Sequence, residues 1–191
     1  MPDTIRCFLA VKITAEPALR RVVRDLSEMG RALKAVELEN LHVTLKFVAS
    51  ADLNLIPQIT AIAATAASHQ TQSHLTLTGL GVFPHAQRPS VVWTGCEGPG
   101  AKTLSALAKD LETALEPLGF EREDRPFVPH LTLARVKAKP PEALYELLAR
   151  HAKTNFGTAA INEIELIRSE LGSDGPRYAA LGSFPLATPA S

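Results

Sequence analysis

Apolar and polar residues alternate with two different periods along the chain, and the changes of period predict its elements. In the first half, short alternating or continuous apolar runs predict strands, and apolar residues three and four positions apart predict helices. The predicted elements are strands at residues 5–11, 41–48 and 73–81 and helices at residues 16–34 and 52–67, the second helix capped by Asp52. The first half therefore has the predicted order β-α-β-α-β.

The second half repeats this alternation of strands and helices. A turn-like segment at residues 83–90, FPHAQRPS, leads into it, Gly119 ends its first helix, and Pro140-Pro141 opens its second. The predicted strands cover residues 91–96, 127–136, 160–170 and 177–184, and the predicted helices cover residues 104–118 and 141–151. The order is again β-α-β-α-β, with one further strand.

One tetrapeptide pattern, His-x-Thr-Leu, occurs in both halves. It reads HVTL at residues 42–45 and HLTL at residues 130–133, so its histidines lie 130 − 42 = 88 positions apart. Each copy falls on the third predicted element of its half, which favours an internal duplication. We expect one domain over residues 1–191, made of two lobes at about 1–85 and 86–184 that face each other, with exchange of strands between them allowed.

Each motif presents a histidine and a threonine on the same face of its strand. Because successive side chains of a strand point to opposite faces, His42, Thr44 and Lys46 share one face. His130 and Thr132 share a face in the second copy, and the leucines of both motifs point towards the core. Two facing lobes would therefore bring two imidazoles and two hydroxyls to one cleft.

Two facing imidazoles are suited to proton transfer at both ends of a displacement, because near pH 7 one can be neutral while the other is charged. One would activate water, and the other would protonate the leaving oxygen. The threonine hydroxyls can donate hydrogen bonds to the oxyanion between them. Phosphorus is the natural centre for such a site.

Two other uses of histidine compete with this interpretation. A single motif could hold a buried structural histidine, but a matched pair favours chemistry. A metal site needs further His, Asp or Glu ligands at compatible spacing, and neither motif carries them, so we expect no metal and no cofactor. The remaining histidines are interpreted as surface or hydrogen-bonded residues: His69, His74, His85 and His151.

The charge balance argues against broad binding to a phosphate backbone. Twenty Lys and Arg residues balance 20 Asp and Glu residues, so the chain lacks the positive field of non-specific nucleic-acid binders. Its two cysteines, Cys7 and Cys96, are too few for a disulfide scaffold. With no recognisable signal peptide or membrane span, we expect a cytoplasmic monomer that does not contact a membrane.

Several segments besides the two motifs carry a resemblance to a known family. They are RCFLAV, ENLHVTLKFV, GVFPHAQRPSVVW, FVPHLTLAR and LIRSELGSDGPRYAALGSFPL, and together they extend over nearly the whole chain. The chain resembles the two-histidine (2H) phosphoesterases, and within them the RNA 2′,3′-cyclic phosphodiesterases once described as 2′-5′ RNA ligases. The resemblance implies a bilobal α+β fold, with two β-sheets flanking a central cleft and helices outside. It also implies metal-independent hydrolysis of a 2′,3′-cyclic phosphate to a 2′-phosphate.

The resemblance further implies roles for the residues of the two motifs. By position, the general acid of the family falls on His42 and the general base on His130. Thr44 and Thr132 fall on phosphate contacts. The expected partner is an RNA end with a 2′,3′-cyclic phosphate, or a small cyclic nucleotide.

The fifth residue after each histidine is less simple to place. Arg135 matches a family arginine that binds the phosphate, but simple alternation puts it on the face away from His130, so it reaches the cleft only where the strand twists or ends. With Lys46 it would form a small positive pocket. Phe47 holds the same place after His42; it could stack on a base, although core packing is the role we expect.

Two alternatives to hydrolysis stay open on the sequence. By microscopic reversibility, the same two histidines could join RNA ends through a 2′-5′ linkage. A fold of this kind without activity would instead bind RNA ends or nucleotides. Hydrolysis is favoured because water is present at high concentration.

Overall fold

The computed structural model describes residues 4–172 and 175–189, which contain nine strands and four α-helices. The strands are β1 (Thr4–Lys12), β2 (Leu33–Ala35), β3 (His42–Asp52), β4 (Ser73–Phe83), β5 (Val91–Glu97), β6 (His130–Val136), β7 (Asn155–Ile161), β8 (Glu163–Gly172) and β9 (Gly175–Pro185). The helices are α1 (Pro17–Glu28), α2 (Ile56–Ser68), α3 (Pro99–Leu115) and α4 (Glu142–Arg150). None of these helices has the length and apolar character needed to cross a bilayer.

The strands form two antiparallel sheets, and each sheet takes strands from both halves of the chain. The four-stranded sheet has the order β3-β1-β8-β9, and the five-stranded sheet has the order β2-β6-β5-β4-β7. The first motif lies on an edge strand of one sheet, and the second lies one strand in from an edge of the other. The α+β fold with two β-sheets is thus confirmed. The boundary between lobes near residue 85 stays a prediction.

Helix α3 ties the two sheets together. It contacts β3 of the four-stranded sheet and β4 and β5 of the five-stranded sheet. Four of its leucines recur at helical spacing and are fully buried: Leu104, Leu107, Leu111 and Leu115. Burying each contributes about 1.5–3 kcal/mol. A 3₁₀ turn follows, and Gly119 ends it with φ 90°, a left-handed conformation that glycine adopts without strain.

Several predicted elements are wrong in their bounds. The helix predicted at residues 52–67 begins at Ile56, and Asp52 instead caps the 3₁₀ turn before it, where its side chain accepts the backbone N–H of Asn54. The helix predicted to reach residue 34 ends at Glu28, and Gly30 follows with φ 72°. Leu33 is buried as predicted, but it belongs to strand β2 and not to the helix. The single strand predicted at residues 160–170 is two strands that meet at Asn162 and belong to different sheets. Buried apolar residues continue on both sides of Asn162, so the pattern alone did not reveal where the chain changes sheets.

Candidate active site

The first motif contains a β-bulge at its leucine. In the pairing of β3 with β1, Thr44 lies opposite Ala10, whereas Lys46 lies opposite Leu9. Strand β3 therefore has one extra residue at this point, Leu45. Because a one-residue shift moves every later side chain to the other face, the strict alternation expected from His42 onwards ends here.

The second motif contains the same bulge. In the pairing of β6 with β5, Thr132 lies opposite Trp93, whereas Ala134 lies opposite Val92. The extra residue is Leu133, which holds the same place in its motif as the bulged leucine of β3. The two motifs therefore match in backbone geometry as well as in sequence.

The bulges place the fifth residue after each histidine on the face that carries the histidine, here called the cleft face. Phe47 is 58% exposed, so its predicted core packing is wrong. Arg135 is also exposed and lies opposite Lys34 of β2. The break in alternation that Arg135 needed to reach the cleft face is thus supplied by the bulge.

Lys46 lies on the core side of β3, and its predicted place beside His42 and Thr44 is wrong. The residue is 3% exposed, and its Nζ donates to a carboxylate oxygen of Glu112 on α3 at 2.6 Å. Nζ also donates to the backbone carbonyl of Glu121. With the bulge between it and Thr44, Lys46 contributes no charge to a pocket with Arg135.

Backbone carbonyls hold the two imidazoles in the same way. Nδ1 of His42 lies 2.6 Å from the carbonyl oxygen of Asn40, and Nδ1 of His130 lies 2.9 Å from that of Val128. Because a carbonyl oxygen only accepts hydrogen bonds, Nδ1 carries the proton in both rings. Nε2 is then the ring atom that can take or give a proton, as acid–base chemistry requires.

Aromatic rings pack against both histidines. Phe8 of β1 stacks on His42 with ring centroids 4.9 Å apart, and Tyr178 of β9 meets the same ring edge-on at 5.6 Å. Phe83 of β4 meets His130 edge-on at 5.0 Å. These contacts restrict rotation of the imidazoles. No sequence pattern indicated them, because the three aromatic residues come from strands that only the fold brings together.

The charge of Arg135 reaches across from one sheet to the other. Burial is the largest cause of a lowered pKa at His42, and the positive charges of Arg135 and Lys12 lower it further, against the Asn40 carbonyl and Glu165. The same arginine opposes the raised pKa that burial gives Tyr178. Strands β3 and β6 also contact each other. The second motif therefore contributes a positive charge close to the histidine of the first.

Among residues 4–172 and 175–189, no three His, Cys, Asp or Glu side chains converge in a way that could hold a metal ion.

The other four histidines lie at the surface or form hydrogen bonds, as the sequence analysis expects. His151 is within 3.1 Å of the Thr154 hydroxyl. The other three side chains are exposed: His69, His74 and His85. Their interpretation as surface or hydrogen-bonded residues is confirmed.

Comparisons with known proteins agree with the paired motifs. The chain is 34% identical, over 187 residues, to a Methanothermobacter thermautotrophicus protein named RNA 2′,3′-cyclic phosphodiesterase, and the match spans 95% of this chain and 99% of the relative. A solved structure from Thermus thermophilus superposes with a TM-score of 0.78 at 29% identity, covering 95% of this chain and 98% of that one. E. coli LigT complexed with 3′-AMP superposes with a TM-score of 0.70 at 26% identity, covering 96% and 99%.

The family assignment rests on the length of these matches as well as on the two motifs. The sequence profile of the 2′-5′ RNA ligase superfamily matches residues 15–173, which include both histidines, both bulges and Arg135. The Methanothermobacter relative, the two solved structures and the family profile all agree with the resemblance seen in the sequence. This chain is a member of the 2′-5′ RNA ligase superfamily.

Proposed function

We propose that the protein hydrolyses 2′,3′-cyclic phosphate ends of RNA to 2′-phosphates, with His42 as general acid and His130 as general base. The observation that carries the proposal is the matched pair of imidazoles, each held at Nδ1 by a backbone carbonyl two residues upstream. The name of the Methanothermobacter relative supplies the substrate class.

The two histidines divide the proton transfers between the attacking and the leaving oxygen. Nε2 of His130 takes a proton from water as the water oxygen attacks phosphorus. Nε2 of His42 gives a proton to the 3′-oxygen as the bond from phosphorus to that oxygen breaks. The 2′-oxygen keeps its bond to phosphorus, so the product is the 2′-phosphate.

Three further side chains of the cleft face stabilise the charge on the phosphoryl oxygens. Thr44 and Thr132 lie two residues after the histidines, before the bulges, and offer hydroxyl donors. Arg135 offers a guanidinium group that stays charged at every working pH. Donors already in place where negative charge grows lower the barrier more than donors that must reorganise.

The electrostatics of the free site set a condition on the acid role of His42. A general acid must be protonated, whereas burial and nearby positive charges lower the pKa of His42. A bound phosphate anion adds negative charge beside the ring, which raises that pKa again. The proposal therefore includes proton uptake by His42 when an anionic substrate binds.

The finer features of the partner belong to the same proposal. The substrate is an RNA end or a small cyclic nucleotide, and the solved complex of E. coli LigT with 3′-AMP supports a nucleotide-sized ligand. The zero net charge of the chain fits recognition of one terminal phosphate better than binding along an RNA strand. We expect the protein to work as a monomer in the cytoplasm and without a metal.

The test is incubation of the purified protein with an RNA that ends in a 2′,3′-cyclic phosphate, in the presence of a chelator. We expect complete conversion to the 2′-phosphate, identified by its resistance to an enzyme that removes only 3′-phosphates. A 3′-phosphate product would mean that the other oxygen leaves, and activity restored only by a divalent ion would contradict metal independence. Adding RNA with a 5′-hydroxyl to the same reaction tests the ligation alternative.

A further inference from the structure

A small pocket opens beside His42 on the cleft face, and of its lining the proposed reaction uses only His42 and the Asn40 carbonyl. It has a volume of about 50 Å³ and is lined by Lys12, Asn40, Glu165, Ile167, Tyr178 and Ala180 together with His42. A cavity of about 10–15 Å³ on this measure holds one water, so the pocket has room for a few waters or for a polar group of a ligand.

The pocket contains a buried carboxylate with an unsatisfied oxygen. Glu165 is 8% exposed, and its Oε2 has no hydrogen-bond partner among the described residues. Nζ of Lys12 lies 3.4 Å from Oε2, which is an ion-pair distance, but the orientation does not make a hydrogen bond. Because buried polar atoms nearly always have partners, this oxygen lacks the hydrogen-bond donor that such an atom usually has.

Strand pairing places this carboxylate on the route a substrate would take from the catalytic histidine. Lys12 lies directly opposite His42 in the pairing of β1 with β3. Glu165 lies opposite Ala10 of β1, on the next strand of the sheet. A nucleotide with its phosphate at His42 can therefore extend its base over β1 towards Glu165.

The lining of the pocket selects among the four bases. Tyr178, Ile167 and Ala180 offer apolar surface for the faces of a ring, while Glu165 is an acceptor and Lys12, with a 53% exposed side chain, is a donor beside it. Guanine carries two neighbouring donors, N1–H and the N2 amino group, next to the acceptor O6. Adenine and cytosine present a single donor group on that edge, and uracil flanks its one donor with two acceptors, which a carboxylate repels.

We propose that this pocket recognises the base of the terminal nucleotide and prefers guanine, with Glu165 accepting from N1–H and the N2 amino group and Lys12 donating to O6. The inference rests on the proposed function, because it takes the phosphate of the same nucleotide to sit at His42. It adds a base-specificity site to the cleft.

The experiment compares kcat/KM for the 2′,3′-cyclic monophosphates of guanosine, adenosine, cytidine, uridine and inosine. We expect the wild-type protein to favour guanosine by about 5- to 150-fold, the discrimination that a good bidentate base contact provides. Inosine lacks the N2 amino group and should fall between guanosine and adenosine. Glu165→Gln should reduce the guanosine preference to about twofold or less.

A matched control separates base recognition from other effects of removing a charge. Glu163→Gln makes the same chemical change two residues away on β8. The Glu163 side chain is exposed and accepts a hydrogen bond from the Ser183 hydroxyl, so this variant should keep the guanosine preference. If Glu165→Gln does not fold, Lys12→Met at the exposed donor provides the second test, since it should also lower the preference for guanosine.

The ratio between bases decides the outcome. Equal kcat/KM for all bases in the wild type, or an equal loss for all bases in Glu165→Gln, would overturn the inference, the second result showing that Glu165 acts on His42 alone. If no cyclic nucleotide is hydrolysed, the proposed function is wrong. The pocket is then tested by the affinities of guanosine 2′-monophosphate and adenosine 2′-monophosphate, and equal affinities would overturn it.

Discussion

Replacing Lys46 by methionine removes an ammonium group that joins β3 to α3 and to the segment leading to His130. The Lys46 side chain is 2% exposed, and that of Glu112 is 19% exposed. The second carboxylate oxygen of Glu112 accepts the backbone N–H of Glu123 at 3.0 Å. The ion pair thus holds residues of the segment between α3 and β6, which contains the Val128 carbonyl that orients His130.

The size of the effect follows from what the substitution leaves behind. Removing one partner of a buried ion pair costs roughly 3–5 kcal/mol, because the other charge stays buried without compensation. Methionine keeps most of the apolar stem, and Glu112 keeps one hydrogen bond and some contact with water. We therefore expect a loss of about 3 kcal/mol for Lys46→Met, which corresponds to a fall in Tm of about 6–12 °C for a domain of this size.

The assay is denaturant unfolding of Lys46→Met, Glu112→Leu and the double variant. The double variant should lose less than the sum of the two single losses, by about 1–3 kcal/mol, because it leaves no unpaired charge. The control is Lys109→Met, at an exposed lysine of α3, the helix that carries Glu112. It should change the free energy of unfolding by about 0.5 kcal/mol or less.

Two results would refute this reasoning. Additive losses in the double variant would show that the two side chains do not stabilise each other. A Lys46→Met protein as stable as Lys109→Met, but with a raised KM for the cyclic phosphate, would return Lys46 to the cleft.

Three further predictions concern the site. His42→Ala and His130→Ala should each lower kcat by about 10²–10⁴-fold without loss of fold, and wild-type turnover in either variant would make that histidine structural. Thr44→Val and Thr132→Val should lower kcat by about 10–10³-fold, measured at saturating substrate, and an effect on KM alone would contradict their contact with the transition state. Lys12→Met removes a positive charge that lowers the pKa of His42, so that pKa rises. Because the acid must be protonated, the alkaline limb of the kcat/KM profile should move to higher pH, and a shift to lower pH would contradict the acid role.

The sequence predicted the two motifs and most of the elements that carry them, because both depend on short-range pattern. Strand alternation correctly placed Thr44 with His42 and Thr132 with His130. It failed immediately after the leucines, because each bulge moves the later side chains to the opposite face of the strand. A bulge is defined by the pairing of two strands distant in sequence, so neither motif could reveal it alone. Lys46 was therefore placed in the cleft.

The side chains that surround His42 could not be predicted from the sequence for the same reason. Phe8 lies in a continuous apolar run, and nothing local distinguishes it from the core residues on either side of it. The structure places it against His42 because β3 pairs with β1, and it adds Tyr178 because β8 and β9 complete the same sheet. The carboxylate of Glu165 reaches the cleft through the same pairing. Such contacts follow from the fold and not from the order of residues.

A substrate whose leaving group needs no proton tests which of His42 and His130 is the general acid and which is the general base. In a nucleoside phosphodiester whose departing oxygen belongs to 4-nitrophenol, the leaving group departs as a stable anion, whereas attack by water still requires a base. The measurement is kcat/KM of His42→Ala and His130→Ala on this ester and on the natural cyclic phosphate. We expect both variants to be slow on the cyclic phosphate, and the nitrophenyl ester to restore most of the activity of His42→Ala but not of His130→Ala. Restoration of His130→Ala alone would exchange the two roles, and restoration of both variants or of neither would contradict the acid–base division itself.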